Sequence, residues 1–371
     1  FFRGHKILRY YANPATFIYS SFVFVDAALG RPKSVEKTAL GLDAKIPVQD
    51  LSRELVILVV GEAARADHFS LNGYERNTNP RLAMELVTSL ADVTSCGTAT
   101  AYSVPCMFAQ AGRADFDLDS AYASENLLDV LSHAGVNVLW RDNNSDSKGV
   151  AAHLNYEEFR DNSANPVCDQ ECRDVGMLNG LGDYIAAHDE GDIVIVLHQM
   201  GMHGPAYYKR YPKEFEHFTP TCQSSQLETC SDQEINNAYD NAILYTDYFL
   251  SQVIAFLKQY DNKFETAMFY MSDHGESLGE NGLYLHGLPW LFAPDNQKHV
   301  ASMLWFGSDF RVDRQWIKSQ ATTAFSHDNF FHTVLGLFEI DTTVYNNDLD
   351  IIRKSTFDEC QQGICRSPSQ D

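Results

Sequence analysis

The stretch SCGTATAYSVPC, residues 95 to 106, sets Thr98, Thr100 and Ser103 between two cysteines, Cys96 and Cys106. That arrangement is either a stapled turn or a hydroxyl nucleophile held still. Other reactive side chains recur along the chain. Glu62 closes the run ELVILVVGE, and SDHGESLGENGLYLHG carries Asp273, His274 and His286. HQMGMHG carries His198 and His203, and RDNNSDSKG carries Asn144, Ser145 and Lys148. Adjacent carboxylate and imidazole donors on a turn suit a divalent ion. Each residue also has a plainer use. Glu62 can cap a helix or meet Arg65, and SDHGES can be a polar turn. His203 and His286 can be hydrogen-bonded packing residues, and RDNNSDSKG read alone is a solvated loop. Taken together the metal reading gains, and His with Asp and Glu fits zinc ahead of manganese. A Glu, Asp and His set leaves one tetrahedral position for water, substrate or a nucleophile. A hydroxyl placed there is acidified toward an alkoxide near neutral pH.

These side chains need elements to position them. Short apolar, β-branched runs cover 54–62, 136–142, 192–199, 266–274 and 300–307. Runs this continuous suit strands buried on both faces. Helical stretches alternate with them, which predicts an α/β fold with a largely parallel sheet. SENLLDVLSHAG is expected to open on Ser124 and stop at Gly135. A long helix after Ser231 carries a capping box with Glu234, and SHDNFFHTVLGLFEI is a third helix. Ligands of open parallel sheets bind beyond the carboxyl ends of the strands. Four of these runs end on the reactive residues above, which brings them to one rim. A helix starting at Thr100 would turn its free N–H groups toward an anion such as phosphate, with Pro105 in its first turns. Lys148 would act on such an anion as a point charge.

The chain of 371 residues carries 28 basic and 50 acidic side chains, a net charge of −22. That balance argues against nucleic acid as a partner. A metal or local basic patch still allows an anionic substrate. The eight cysteines fall in local pairs at 96/106, 168/172, 222/230 and 360/365. Such pairs read as disulfides made in an oxidising compartment. A zinc finger is the competing reading, but its spacings are missing. No apolar run of 18 residues is present. The start, FFRGHKILRYYANPATFIYSSFVFV, mixes aromatics with Arg3, Lys6 and Arg9, which suits a membrane interface or a surface helix packed on a domain. Residues 1–53 are expected to be a juxtamembrane connector and linker, and 54–371 the catalytic domain.

The blocks VVGEAARADHFSLNGYERNTNP, TSCGTATAYSVPCMF, LWRDNNSDSKGV, HQMGMHGPAYYKRY and SDHGESLGENGLYLHGLP resemble the lipid A phosphoethanolamine transferases, among them the mobile colistin-resistance enzymes. The resemblance runs in order from about residue 1 to about residue 340 and rests on long blocks. It implies the α/β/α sandwich of the alkaline phosphatase superfamily. Carried over by position, it implies Thr100 as nucleophile and a first zinc site of Glu62, Thr100, Asp273 and His274. His203 and His286 become a second metal or phosphate site, or an acid and a base; Thr98, Asn144, Ser145 and Lys148 become headgroup contacts. The tail FDECQQGICRSPSQD, with Cys360 and Cys365, departs from the family pattern.

The implied reaction moves phosphoethanolamine from phosphatidylethanolamine, through a covalent intermediate on Thr100, to a phosphate of lipid A. The resemblance places the chain, as a monomer, at the periplasmic face of the bacterial inner membrane, attached through an N-terminal part that lies outside it. A less negative outer surface would then bind polymyxin more weakly. The alternative is a phosphatase or phosphodiesterase of the same superfamily using water. A sulfatase is disfavoured, because SVPCM lacks the arginine of that motif. A non-catalytic envelope-binding domain would have lost ligands, and none is lost.

Overall fold

The computed structural model describes residues 37–48, 50 and 52–353. The aromatic and basic start and the Cys360/Cys365 pair lie outside the described residues. The chain divides into one unit over Phe1–Thr38 and a compact unit over Ala39–Asp371. Part of the segment read as linker lies on this unit: Lys45 and Asp341 exchange backbone hydrogen bonds of 3.1 and 2.9 Å.

Eleven strands are present among the described residues: β1 (Glu54–Gly61), β2 (Thr88–Leu90), β3 (Asp92–Thr94), β4 (Asn137–Asp142), β5 (Asn155–Glu158), β6 (Ile193–His198), β7 (Glu265–Ser272), β8 (Ser277–Leu278), β9 (Tyr284–Leu285), β10 (Ser302–Phe306) and β11 (Ala324–Ser326). Seven of them form the central sheet in the order β2-β10-β7-β1-β6-β4-β5. β1 pairs in parallel with β6 and β7, and β4 with β5 and β6. β10 runs antiparallel to β7 and β2. The run at 300–307 therefore departs from the parallel set. The only helices between β7 and β10 are short 3-10 turns, with no α-helix, and the crossover that a parallel pair needs is usually an α-helix.

Alternation along β1 explains the layers. Leu55, Ile57 and Val59 face one core, with Ile193, Ile195 and Leu197 of β6. Val56, Leu58 and Val60 face the other, with Val194 and Val196. A side-chain period of two sends successive residues to opposite faces, so a strand covered on both sides is apolar throughout. The first core packs under α5 (Asp232–Leu257) and α4 (Leu181–Ala187). The second packs under α1 (Thr100–Phe108), α3 (Leu127–His133), α6 (Arg314–Ser319) and α7 (Asp328–Leu337). The expected α/β/α sandwich is the observed architecture. A short α2 (Leu118–Tyr122) follows α1.

Helix starts follow the capping chemistry. Ser231 and Glu234 form the expected capping box at α5. α3 differs: it starts at Leu127, and its cap is Asn126, not Ser124. Asn126 accepts from Leu128 N–H at 2.9 Å, and Asp129 accepts from Asn126 N–H at 2.9 Å. An acid three residues after the cap closes that box only from Asn126. Disulfides join Cys96–Cys106, Cys168–Cys172 and Cys222–Cys230. No helix among the described residues is long and apolar enough to cross a membrane.

Candidate active site

The carboxyl ends of β1, β4, β6 and β7 meet on one rim, where Glu62, Asn144, His198 and Asp273 follow or end their strands. Gly61 precedes Glu62 because a Cβ there would stand 2.5 Å from the Tyr270 hydroxyl. Ala63 then takes a left-handed φ of 55°, an unfavoured backbone for a residue with a side chain. Its position is over-determined: Ala63 N–H donates to Asp273 Oδ1 at 3.1 Å, and its carbonyl accepts from the Tyr239 hydroxyl at 2.6 Å. Asp273 Oδ1 also accepts from His274 N–H at 2.7 Å, which leaves Oδ2 turned inward.

Thr100 is the first residue of α1 and is 8% exposed, while Glu62, Asp273 and His274 are fully buried. The Thr100 hydroxyl donates to Glu62 Oε2 at 3.0 Å and lies 3.3 Å from His274 Nε2. His274 Nε2 is 3.3 Å from Glu62 Oε1 and 3.4 Å from Asp273 Oδ2. His274 Nδ1 faces the Gly275 carbonyl at 2.8 Å, which fixes the ring. Glu62 Oε1 and Asp273 Oδ2 are buried without a hydrogen-bond partner.

These atoms fit a tetrahedral metal. Ligands about 2.0 Å from a zinc ion stand about 3.3 Å from one another, which is the spacing seen here. Two orphaned, buried carboxylate oxygens also call for a cation. The electrostatics agree. Burial opposes ionisation of Glu62, but His274, His203 and His286 hold its carboxyl well below the usual range. Burial and then the Glu62 charge raise Asp273. Burial disfavours the charged His274, yet Asp273 and Glu62 push it up to about 10. The two carboxylates thus draw positive charge to their common point.

The other expected residues divide into four groups. His286 stands with the first cluster, since Glu62, His274 and His286 each offer a ligand atom within 4.8 Å of one another. Its ring centroid is 4.1 Å from that of His274, and its Nδ1 meets Glu276 Oε2 at 3.0 Å. His203 is farther out, with its ring 6.2 Å from His286. Asn144 enters the centre itself, donating to Glu62 Oε2 at 2.8 Å and to the Gln199 carbonyl at 3.0 Å. Thr98, Ser145 and Lys148 are engaged locally. The Thr98 hydroxyl donates to the Leu288 carbonyl at 2.6 Å. Lys148 Nζ donates to the Ser145 carbonyl and hydroxyl, both at 2.7 Å.

The sequence reading assigned no role to the supports, although it named His198. Asp142 accepts from Trp140 Nε1 and Asn144 N–H at 3.0 and 2.9 Å and pairs with His198 Nδ1 at 2.8 Å. Burial opposes this ion pair, but each partner favours the charge of the other: Asp142 is lowered to about 2 and His198 is raised. His327, the cap of α7, accepts from Cys96 N–H at 3.1 Å and donates Nε2–H to the Ser272 carbonyl at 2.9 Å. Burial lowers it to about 3, so it bridges the disulfide loop to β7 as a neutral ring. The signal for Asp142 and His198 was present in their places at strand ends. His327 carried none.

The chain matches the Sulfatase family over residues 54–340. Phosphatidylethanolamine transferase Mcr-1 of Escherichia coli is 48% identical over 361 residues, 92% of this chain and 64% of that protein. The chain therefore spans just under two thirds of that relative's length. The solved soluble domain of lipooligosaccharide phosphoethanolamine transferase A from Neisseria meningitidis is 39% identical, with a TM-score of 0.81, covering 90% of this chain and 99% of that one. The integral membrane protein of the same name and organism gives 38% identity and a TM-score of 0.84 over 95% of this chain and 67% of that one. With its fold, its rim of carboxylates and imidazoles and these matches, the chain belongs to the phosphoethanolamine transferases of the sulfatase family.

Proposed function

We propose that this chain is the catalytic part of a zinc-dependent enzyme that transfers phosphoethanolamine from phosphatidylethanolamine to a phosphate of lipid A. The observation that carries the reading is the Thr100 hydroxyl at a helix start, 3.0 Å from Glu62 and 3.3 Å from His274. Glu62, Thr100, Asp273 and His274 would hold the ion. When bound, it supplies Lewis acidity and lowers the pKa of the coordinated hydroxyl.

The chain's own residues do the rest. Glu62 Oε2 accepts the hydroxyl hydrogen bond and, steadied by Asn144, orients Thr100 toward phosphorus. Thr100 Oγ1 attacks, the bond to the diacylglycerol oxygen breaks, and phosphoethanolamine remains on Thr100. The α1 N-terminus offers N–H groups to the phosphoryl oxygens. His286, oriented by Glu276, and His203 act as acid and base for the leaving and incoming oxygens. His286 also lies within ligand reach of Glu62 and His274, but its Nδ1 is engaged by Glu276, and proton transfer is the role assigned here to it and to His203. Thr98, Ser145 and Lys148 line the approach for the headgroup. A lipid A phosphate oxygen then attacks phosphorus and frees Thr100. Residues 54–371 would carry this chemistry and 1–53 the connection to the membrane, with the active monomer at its periplasmic face. Resistance to polymyxins follows from the lost negative charge.

The test is the mass of the Thr100 peptide after exposure to donor, with zinc measured on the same sample. A gain of about 123 Da, one phosphoethanolamine group, is expected of the covalent intermediate. Adding lipid A should discharge it to the lipid. Discharge to water alone would establish the diesterase reading instead.

A further inference from the structure

Leu291 and Phe292 are 80% and 77% exposed and adjacent in sequence. Their loop, from Pro289 to Pro294, does not fold them inward. Phe292 N–H and Ala293 N–H both donate to the Pro289 carbonyl, at 2.8 and 3.0 Å, and Ala293 is buried while the two large side chains point out. The turn is built to present them.

The root of the loop is tied to the active site. Gly287 N–H donates to the Thr98 carbonyl at 2.7 Å, and the Thr98 hydroxyl donates to the Leu288 carbonyl at 2.6 Å. Trp290 Nε1 donates to the Ser95 carbonyl at 3.1 Å. The apolar tip is therefore fixed to the segment that ends in Thr100, and it follows His286 by five residues. Cations flank it. The Arg113 guanidinium lies 3.6 Å from the Trp290 ring centroid, and Lys298 Nζ lies 4.8 Å from it. Lys298 is partly offset by Asp295 at 3.3 Å, and the Arg113 backbone N–H donates to Asp328 Oδ1 at 2.8 Å, while the guanidinium stays on the Trp290 face.

We propose that the Leu291–Phe292 tip docks this face on a phospholipid bilayer, with the two side chains among the acyl chains and Trp290, Arg113 and Lys298 at the phosphate level. The inference rests on the transferase reading for its purpose, since docking here brings the donor phosphate to Thr100. Apolar, indole and cationic groups in this order match the layers of a membrane interface. Basic side chains complement lipid phosphates, which matters in a chain of net charge −22. A second copy is disfavoured as the occupant, because two chains of net charge −22 repel each other. Another exposed pair among the described residues, Met84 and Leu86, flanks Glu85, which pairs with Lys258. It lacks the ties to Thr98 and Ser95 and serves as the control.

Two chains are compared with the unaltered protein: Leu291→Ser with Phe292→Ser, and Met84→Ser with Leu86→Ser. Flotation with vesicles of phosphatidylethanolamine and phosphatidylglycerol reads docking. Loading of Thr100 is read with donor in those vesicles and with monomeric dihexanoyl phosphatidylethanolamine. The first variant is expected to lose about tenfold in both vesicle measurements, the scale of two buried apolar side chains with part of their transfer energy realised, and to keep its loading from monomeric donor. The control keeps all three. Unchanged flotation of the first variant overturns docking, as does an equal loss with both donors or a change in oligomeric state in its place. If the unaltered chain is loaded by neither donor, the transferase reading fails, while flotation still decides docking.

Discussion

The Thr100 hydroxyl and the Glu62 carboxylate, 38 positions apart in sequence, meet at 3.0 Å across the gap between the start of α1 and the end of β1. Neither element could place its residue alone. α1 is held by the Cys96–Cys106 disulfide and by Ser103, whose hydroxyl accepts from Gly97 N–H at 2.9 Å. The end of β1 is held by Asp273 and Tyr239 through Ala63.

This arrangement separates two neighbouring hydroxyls by role. Thr100→Ala should abolish loading by donor with little change in melting temperature, and Thr100→Ser should keep part of it. Ser103→Ala leaves the Gly97 N–H without its buried partner, a loss of about 1–3 kcal/mol. It should lower the melting temperature and keep loading within a few fold. Peptide mass and thermal melts decide both. A fully active Thr100→Ala protein would end the nucleophile assignment.

On the zinc reading, the orphaned oxygens of Glu62 and Asp273 make metal content a structural quantity as well as a catalytic one. One zinc per chain is expected by elemental analysis. Chelation should lower the melting temperature, because binding to the native state alone is linked to stability, and zinc should restore it. Asp273→Asn should reduce zinc retained on dialysis by at least tenfold. Retention of stoichiometric zinc by that variant would exclude Asp273 as a ligand.

Much of this site was legible because its chemistry sits at strand ends. Glu62 and Asp273 stand at the ends of apolar runs that suit buried strands, and Thr100 follows a cysteine whose partner lies ten residues on. What remained hidden depends on side-chain direction. Asn144, read as a headgroup contact, turns to Glu62 because Asp142 bends the loop through its backbone N–H. His286, placed beside His203, stacks closer to His274 because Glu276 pulls its Nδ1. The antiparallel β10 was hidden for another reason: strand direction depends on the connection, and an apolar run looks the same both ways.

The Cys96–Cys106 staple can be tested apart from the chemistry. Changing both cysteines to serine removes a short covalent loop worth about 2–3 kcal/mol by the chain-entropy estimate. The melting temperature should fall accordingly. Loading should fall further than the stability loss explains at a temperature where the variant is fully folded, since small displacements of a nucleophile are costly. Equal rates in the folded range would confine the disulfide to stability.

At the opposite end of β1, Glu54 and Asp192 are buried together, and Glu54 Oε2 and Asp192 Oδ2 have no hydrogen-bond partner. Burial, then the neighbouring Asp192 charge, pushes Glu54 up to about 9. The folded state thus keeps a proton that the unfolded chain loses near the ordinary carboxylate range. Stability from this group is complete at acid pH and declines as pH rises through that range to about 9. Glu54→Gln should flatten this part of the pH–melting curve and raise the melting temperature at pH 9. The same slope in both proteins would show that Glu54 ionises normally.

Asp142 offers the most selective test of how the rim is assembled. Its Oδ1 accepts the backbone N–H of Asn144 and of Asp146, at 2.9 and 3.2 Å, while Oδ2 holds His198 Nδ1 at 2.8 Å. One carboxylate therefore shapes the loop that brings Asn144 to Glu62 and orients a buried imidazole whose Nε2 has no partner. Asp142→Asn keeps the size and an acceptor for the loop but removes the charge that matches His198. Supporting partners of ligating groups are typically worth about 10–100-fold in metal affinity or activity. Zinc affinity should weaken on that scale, and added zinc should recover most of the loading. Asn144→Ala, which removes only the contact to Glu62 and the Gln199 carbonyl, should reproduce part of the loss. If Asp142→Asn binds zinc as the unaltered chain does and loses loading at saturating metal, the pair acts on phosphoryl transfer itself and not through Glu62.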